Sequence, residues 1–147
     1  MRIINKIIVH SSATHEGKDF QPADIEKWHL ERGFKEIGYH YVITLDGVIH
    51  TGRKITKAGA HCLGQNATSI GICYIGGVSS KYLKPKNTMT PEQEQSLYNF
   101  INMLKEKYNI ADSEIYGHKD FAKTACPSFD VKRWYNIFQK KVNNVTE

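Results

Sequence analysis

Disulfide pairing is the first thing this 147-residue chain cannot rely on: its three cysteines, Cys62, Cys73 and Cys126, are odd in number and show no paired spacing. That excludes a disulfide framework and a Cys-x-x-Cys zinc module of the nucleic-acid type, and it fits synthesis in a reducing compartment. Long apolar runs are missing as well, so no segment is expected to span a bilayer. The opening stretch Met1 to Val9 carries an early basic residue, but its apolar part is short and interrupted and no small-residue cleavage site follows. It reads as a first strand rather than a secretion signal. Repeats, low-complexity tracts and linkers are also absent, which leaves one domain over residues 1–147. Twenty Lys and Arg against fifteen Asp and Glu give a net charge of +5, which favours anionic polymers. The basic residues are scattered without interleaved aromatics, so no nucleic-acid partner is expected. A monomer is the expectation.

The apolar run Ile7-Ile8-Val9 ends at His10, as a strand would at its tip. Residues 11–20 are polar and read as a loop, with His15 solvated. Pro22 at a first turn, then Ile25, Trp28 and Leu30, then Gly33, outline a helix of about three turns with Glu26 and His29 on its flank. Residues 38–51 form two β-rich runs split by Asp46-Gly47, a strong hairpin signal. A two-residue loop there pairs Ile43 with His50 and puts His50 on one face with Tyr39, Tyr41 and Ile43, and His40 on the other. Residues 59–64 read as a loop, and Ser69 to Ile75 as a strand apolar enough to be central, with Cys73 as a small core residue. Thr90-Pro91-Glu92-Gln93 has the form of a capping box, and Leu97, Phe100, Ile101, Leu104 and Tyr108 follow on one helical face. Glu114 to Tyr116 is a short extended piece, and Asp130 caps a last helix carrying Val131, Trp134, Ile137 and Phe138. The fold class is α/β: a central mixed β-sheet flanked by about three main helices.

Seven histidines invite a search for a site. His118 and Cys126 lie eight positions apart in a loop stiffened by Pro127 and offer an imidazole and a thiolate to a borderline-soft cation such as zinc. His10 is the best third ligand, and three protein ligands leave the open position typical of a catalytic zinc. The spacing alone also admits Cys126 as a nucleophile with His118 as its base. His15, His29 and His50 are read as surface or flank residues.

Several motifs in order narrow this choice. His10-Ser11-Ser12-Ala13-Thr14, Trp28-His29, Gly38-Tyr39-His40-Tyr41, Gly59-Ala60-His61, Asn66, Ser69-Ile70-Gly71-Ile72 and Gly117-His118 through Ala125-Cys126-Pro127-Ser128-Phe129-Asp130 resemble the zinc-dependent N-acetylmuramoyl-L-alanine amidases. The resemblance runs nearly end to end, covers the compact phage lysins, and extends to the peptidoglycan recognition proteins that share their fold. It implies Zn²⁺ on His10, His118 and Cys126, catalytic assistance from Tyr39, and His61 beside a groove for peptidoglycan or muropeptide. One departure stands out. The compact phage enzymes carry a lysine two residues before the cysteine ligand, where this chain has Thr124. The recognition-protein branch with amidase activity has threonine there, which is compatible with a hydroxyl hydrogen bond in catalysis. The family further implies a lysin made in the bacterial cytoplasm that acts on the cell wall; a non-catalytic wall-binding module is the alternative of a different class.

Overall fold

The computed structural model describes residues 2–146, with side chains to residue 144. Five strands form the main sheet: β1 (Lys6–Ser11), β3 (Tyr41–Ile43), β4 (Ile49–Thr51), β5 (Ser69–Tyr74) and β7 (Ile115–Gly117), in the order β4-β3-β5-β1-β7. β5 pairs in parallel with β1 and β3, and β1 with β7, while β3 and β4 are antiparallel. The sheet is therefore mixed, as expected. Its central strands β1 and β5 are buried on both faces from Ile7 to Ser11 and from Ser69 to Tyr74, which is why their sequences read as near-continuous apolar runs.

Helices cover both faces. On one side α2 (Pro91–Tyr108) and α3 (Val131–Thr146) pack Leu97, Ile101, Leu104, Val131 and Tyr135 against Val9, Ile70 and Ile72. On the other, α1 (Pro22–Glu31) packs Ile25 against Val42, Cys73 and Ile75. The terminal signals behave as their chemistry requires. Thr90 Oγ1 accepts from Gln93 N–H and Gln93 Oε1 accepts from Thr90 N–H, so the capping box is formed. Asp130 Oδ1 accepts from Arg133 N–H at 3.3 Å at the start of α3.

Four local expectations are corrected. The stretch 11–20 contains a two-residue strand, β2 (Thr14–His15), paired with β6 (Gly77–Val78); so short a pairing leaves no periodicity to read. The hairpin loop has three residues, because Thr44 N–H donates to Val48 O and Gly47 N–H to Thr44 O, with Gly47 at φ +84°. Asp46 Oδ1, accepting from Thr44 Oγ1 and Val48 N–H, holds this turn-plus-bulge form. The register then shifts by one: His50 lies opposite Val42, and its Nε2 sits 3.1 Å from Thr44 Oγ1. Tyr39 does not share a face with Tyr41 and Ile43 either. Consecutive amides of Gly52 and Arg53 donate to the carbonyls of His40 and Tyr39, a break in the pleat that turns Tyr39 toward α1 while Tyr41 packs on Phe100 of α2. Finally, His29 is buried at 6 % exposure while Leu30 is 48 % exposed. Positions three and four beyond Ile25 are Trp28 and His29, and these turn inward with it.

Gln93 joins the helix layer to the sheet. It is fully buried, and its Nε2 donates to the carbonyls of Ile43 and Ile75, both at 3.1 Å. Gln93→Leu removes these bonds together with the one its Oε1 accepts from Thr90 N–H, while keeping the volume. The expected loss is about 2–4 kcal/mol of stability, read as a lower urea midpoint with an unchanged m-value.

Candidate metal centre

The carboxyl ends of the parallel strands converge on one cleft, the usual place for chemistry in such sheets. His10 is the penultimate residue of β1, on the α1 side. Val9 pairs with Gly117, so His118, the next residue after β7, arrives beside it, with ring centroids 4.7 Å apart. Cys126 comes back to the same point from the loop that follows. Lys119 N–H donates to the Cys126 carbonyl at 2.8 Å, and Ser11 N–H donates to Cys126 Sγ at 3.2 Å. One ligand atom from each of His10, His118 and Cys126 lies within 4.8 Å of the others.

This donor set fits a zinc ion. Tetrahedral bonds of about 2.0–2.1 Å to nitrogen and about 2.3 Å to sulfur put ligand atoms roughly 3.3–3.7 Å apart, and Cys126 Sγ stands 3.7 Å from His10 Nδ1. Protonation states suit the same use. Burial holds His10 well below the ordinary imidazole range, helped by the neighbouring His61 and His118, and burial also lowers His118. Both rings therefore offer lone pairs at neutral pH. Burial raises the Cys126 thiol, an effect that the amide of Ser11 partly opposes. A thiol raised in this way ionises readily only beside a compensating positive charge, such as a bound cation would supply.

Tyr39 stands over the cluster, its ring 5.0 Å from that of His10 and 5.3 Å from that of His29. Burial, followed by the nearby Cys73 and Cys126, lifts its phenol well above its ordinary range. His61 lies on the far side of His10, with its Nδ1 2.8 Å from His10 Nε2. A groove lined by His29, Tyr39, Ala60, His61, Leu63 and His118 opens beside the cluster. His40 lies behind it, its Nδ1 accepting from Gly71 N–H and its Nε2 2.9 Å from the Lys57 carbonyl. Thr124 sits apart on the exposed loop, where its hydroxyl oxygen accepts from Cys126 N–H at 3.2 Å; Lys123 is exposed beside it. His15 is exposed and His50 half-buried, both away from the groove.

Sequence reasoning missed the parts that hold these groups in place. His29 Nδ1 accepts from Gly38 N–H, and Asn66 Oδ1 accepts from the amides of His61 and Cys62 at 2.8 and 3.0 Å. Asn66 was visible as a matched motif residue, but nothing in the sequence says that its amide oxygen folds back on the preceding loop.

With this geometry in view, comparison with known proteins is decisive about class. Residues 1–129 match the N-acetylmuramoyl-L-alanine amidase family. The endolysin of Klebsiella phage KP32 is 40% identical over 131 residues, covering 89% of this chain and 85% of its own. The endolysin of Escherichia phage T7 is 40% identical over 129 residues, covering 88% and 83%. Among solved structures, the N-acetylmuramoyl-L-alanine amidase LysC from Clostridium intestinale superposes with a TM-score of 0.76 at 32% identity, over 95% of this chain and 85% of that one. The chain belongs to the N-acetylmuramoyl-L-alanine amidase family. It is a peptidoglycan amidase.

The buried histidines also make stability depend on pH. His40 is pushed down to about 4 by burial, with Arg2 and Arg53 adding to the effect and the Lys57 carbonyl opposing it. Unfolding returns it to about 6.5, so between those values the unfolded chain holds the extra proton and acid favours unfolding. At pH 5 His40 alone is expected to cost about 2 kcal/mol relative to pH 8. Urea midpoints measured at the two pH values should show the drop, and His40→Gln should make it smaller.

Proposed function

We propose that this amidase uses a zinc ion held by His10 Nδ1, His118 and Cys126 Sγ to cleave the amide between the lactyl group of N-acetylmuramic acid and the L-alanine of the stem peptide, and that it serves as a cell-wall lysin. The observation that carries the metal assignment is the meeting of those three donors within 4.8 Å at the strand ends. Endolysins at 40% identity over most of both chains support the lytic role, and with it synthesis in the cytoplasm and action on the wall.

A zinc ion held by His10, His118 and Cys126 would supply Lewis acidity for the amide carbonyl and for the attacking water. The protein's part is to keep that effect undiluted: two neutral imidazoles and one thiolate contribute only a single negative charge. Tyr39, with its ring 5.0 Å from that of His10, is suited to donate a hydrogen bond to the oxyanion that develops on the carbonyl, since a phenol carries its proton at neutral pH. Thr124 accepts from Cys126 N–H with its oxygen, so its part in catalysis is to hold the loop segment that presents the cysteine. His61 contributes a ring edge to the groove wall against which the substrate lies. The whole chain acts as one catalytic domain.

Metal analysis and sacculus digestion test the reading together. Purified protein should carry about one zinc per chain, lose activity on chelation and regain it with zinc. Digested sacculi should show new L-alanine amino termini without new reducing sugar ends. Cys126→Ala should lose both metal and activity, while Tyr39→Phe should keep the metal and lower kcat by roughly 10²–10³-fold. Full activity in metal-free protein would overturn the zinc assignment in favour of a cysteine nucleophile.

A further inference from the structure

His10 uses one ring nitrogen toward Cys126 and the other toward His61, and which of them carries the proton decides whether His10 can bind a metal at all. The atoms around it fix that choice from a distance. Ser69 Oγ lies 2.7 Å from the carbonyl oxygen of Gln65, and a carbonyl can only accept, so the single hydroxyl proton of Ser69 is committed there. His61 Nε2 lies 3.2 Å from the same Ser69 oxygen, whose remaining capacity is as an acceptor. His61 must therefore carry its proton on Nε2, and its Nδ1 is bare. That bare nitrogen stands 2.8 Å from His10 Nε2, so His10 donates there and its own lone pair is left on Nδ1, the atom 3.7 Å from Cys126 Sγ.

We infer that His61 is a positioning residue for the metal ligand: the relay from Gln65 through Ser69 and His61 locks His10 in the tautomer, and the ring orientation, that presents Nδ1 to zinc. This rests on the assignment of His10, His118 and Cys126 as the zinc site. Both nitrogens of His61 are spent inside the protein, and so its part in the site is to orient His10 and not to hydrogen-bond substrate.

The surroundings are shaped for a ring held in one place. A Cβ at Gly71 would lie 2.6–2.8 Å from three ring atoms of His61, and one at Gly59 would lie 2.4 and 2.9 Å from two of them. The imidazole thus occupies space that only glycines on both sides leave free. Its backbone is tied down by Asn66 Oδ1, and Ser69 opens β5, whose register against β1 sets Gly71 opposite Ile8 and Cys73 opposite His10. Metal-binding histidines usually pass their second N–H to a carboxylate or carbonyl oxygen. A neutral imidazole in that place orients the ligand without adding negative charge to the site.

Long-range ¹H–¹⁵N spectra of the histidine rings in metal-free protein at pH 8 read the tautomers directly, with zinc affinity by chelator competition as the second measurement. The expected result is a protonated Nε2 and bare Nδ1 on both His10 and His61. Ser69→Ala should mix the tautomers of His61, and both it and His61→Gln should weaken zinc binding roughly 10–100-fold, with circular dichroism showing the fold retained. A proton on His10 Nδ1 in the unaltered protein overturns the inference, as does zinc affinity within twofold of normal in Ser69→Ala. The spectrum of the unaltered chain decides the matter even if a variant fails to fold. The two measurements together separate two failures: a chain that takes up no zinc removes the metal assignment, whereas one that binds zinc yet carries the opposite tautomer when metal-free removes only the relay.

Discussion

Parallel pairing of β1 with both β5 and β7 is the constraint on which the site depends. Because Val9 is opposite Gly117 and His10 opposite Cys73, residues more than a hundred positions apart reach the same height at the same end of the sheet. The pairing is stabilised by burial of both sheet faces, with Val9, Ile70 and Ile72 under α2 and α3 and Val42, Cys73 and Ile75 under α1. A slip of one residue would exchange the faces, moving His10 into the α2/α3 core and Val9 into the cleft. The hydrophobic pattern that folds the sheet is therefore also what aims His10 into the cleft.

The same burial sets the electrostatics. Rings enclosed by apolar packing and by one another are held neutral: His61 is pushed down to about 3, chiefly by burial and then by His40 and His118, and His10 is lowered in the same direction. An exposed cluster of histidines would compete with protons for its metal near neutral pH. Here the fold bears the cost of keeping unprotonated nitrogens together, and that cost is the origin of the loss of stability expected in acid. Stability and the capacity to bind a cation are thus linked through the same desolvation.

Much of this was legible in the residues, and the reasons differ from element to element. α2 could be read because its signals are local: Thr90, Pro91 and Gln93 form a cap whatever surrounds them, and Leu97, Ile101 and Leu104 repeat at helical spacing. β5 was legible as a central strand because burial on both faces leaves an apolar run. His10, His118 and Cys126 could be grouped from residue chemistry as one of two readings, and family resemblance chose between them, since strand register and not sequence spacing brings them together. The hairpin register was misread because Asp-Gly announces a turn without saying that Thr44 and Asp46 will close a bulge around it. Tyr39 was placed on the wrong face for a related reason: the double donation from Gly52 and Arg53 interrupts the alternation two residues before the regular strand begins. His29 was dismissed as a flank residue because a polar name outweighed its position four residues beyond Ile25.

What sequence could not convey at all is direction in the hydrogen bonds. Ser69 and Gln65 carry no signature of catalysis, and in most proteins a buried serine bonded to a nearby carbonyl is only a satisfied polar group. Its consequence comes from a property that accumulates along a chain of bonds: a carbonyl has no proton to give, a neutral imidazole has one, and so each step leaves no freedom to the next. Replacing the carbonyl with a group that can both donate and accept would release the constraint without breaking a single contact. The fixed lone pair on His10 therefore depends on the chemical kind of the last atom in the series as much as on the distances between them, and a backbone carbonyl, which no side-chain substitution can remove, is the most durable atom for that position.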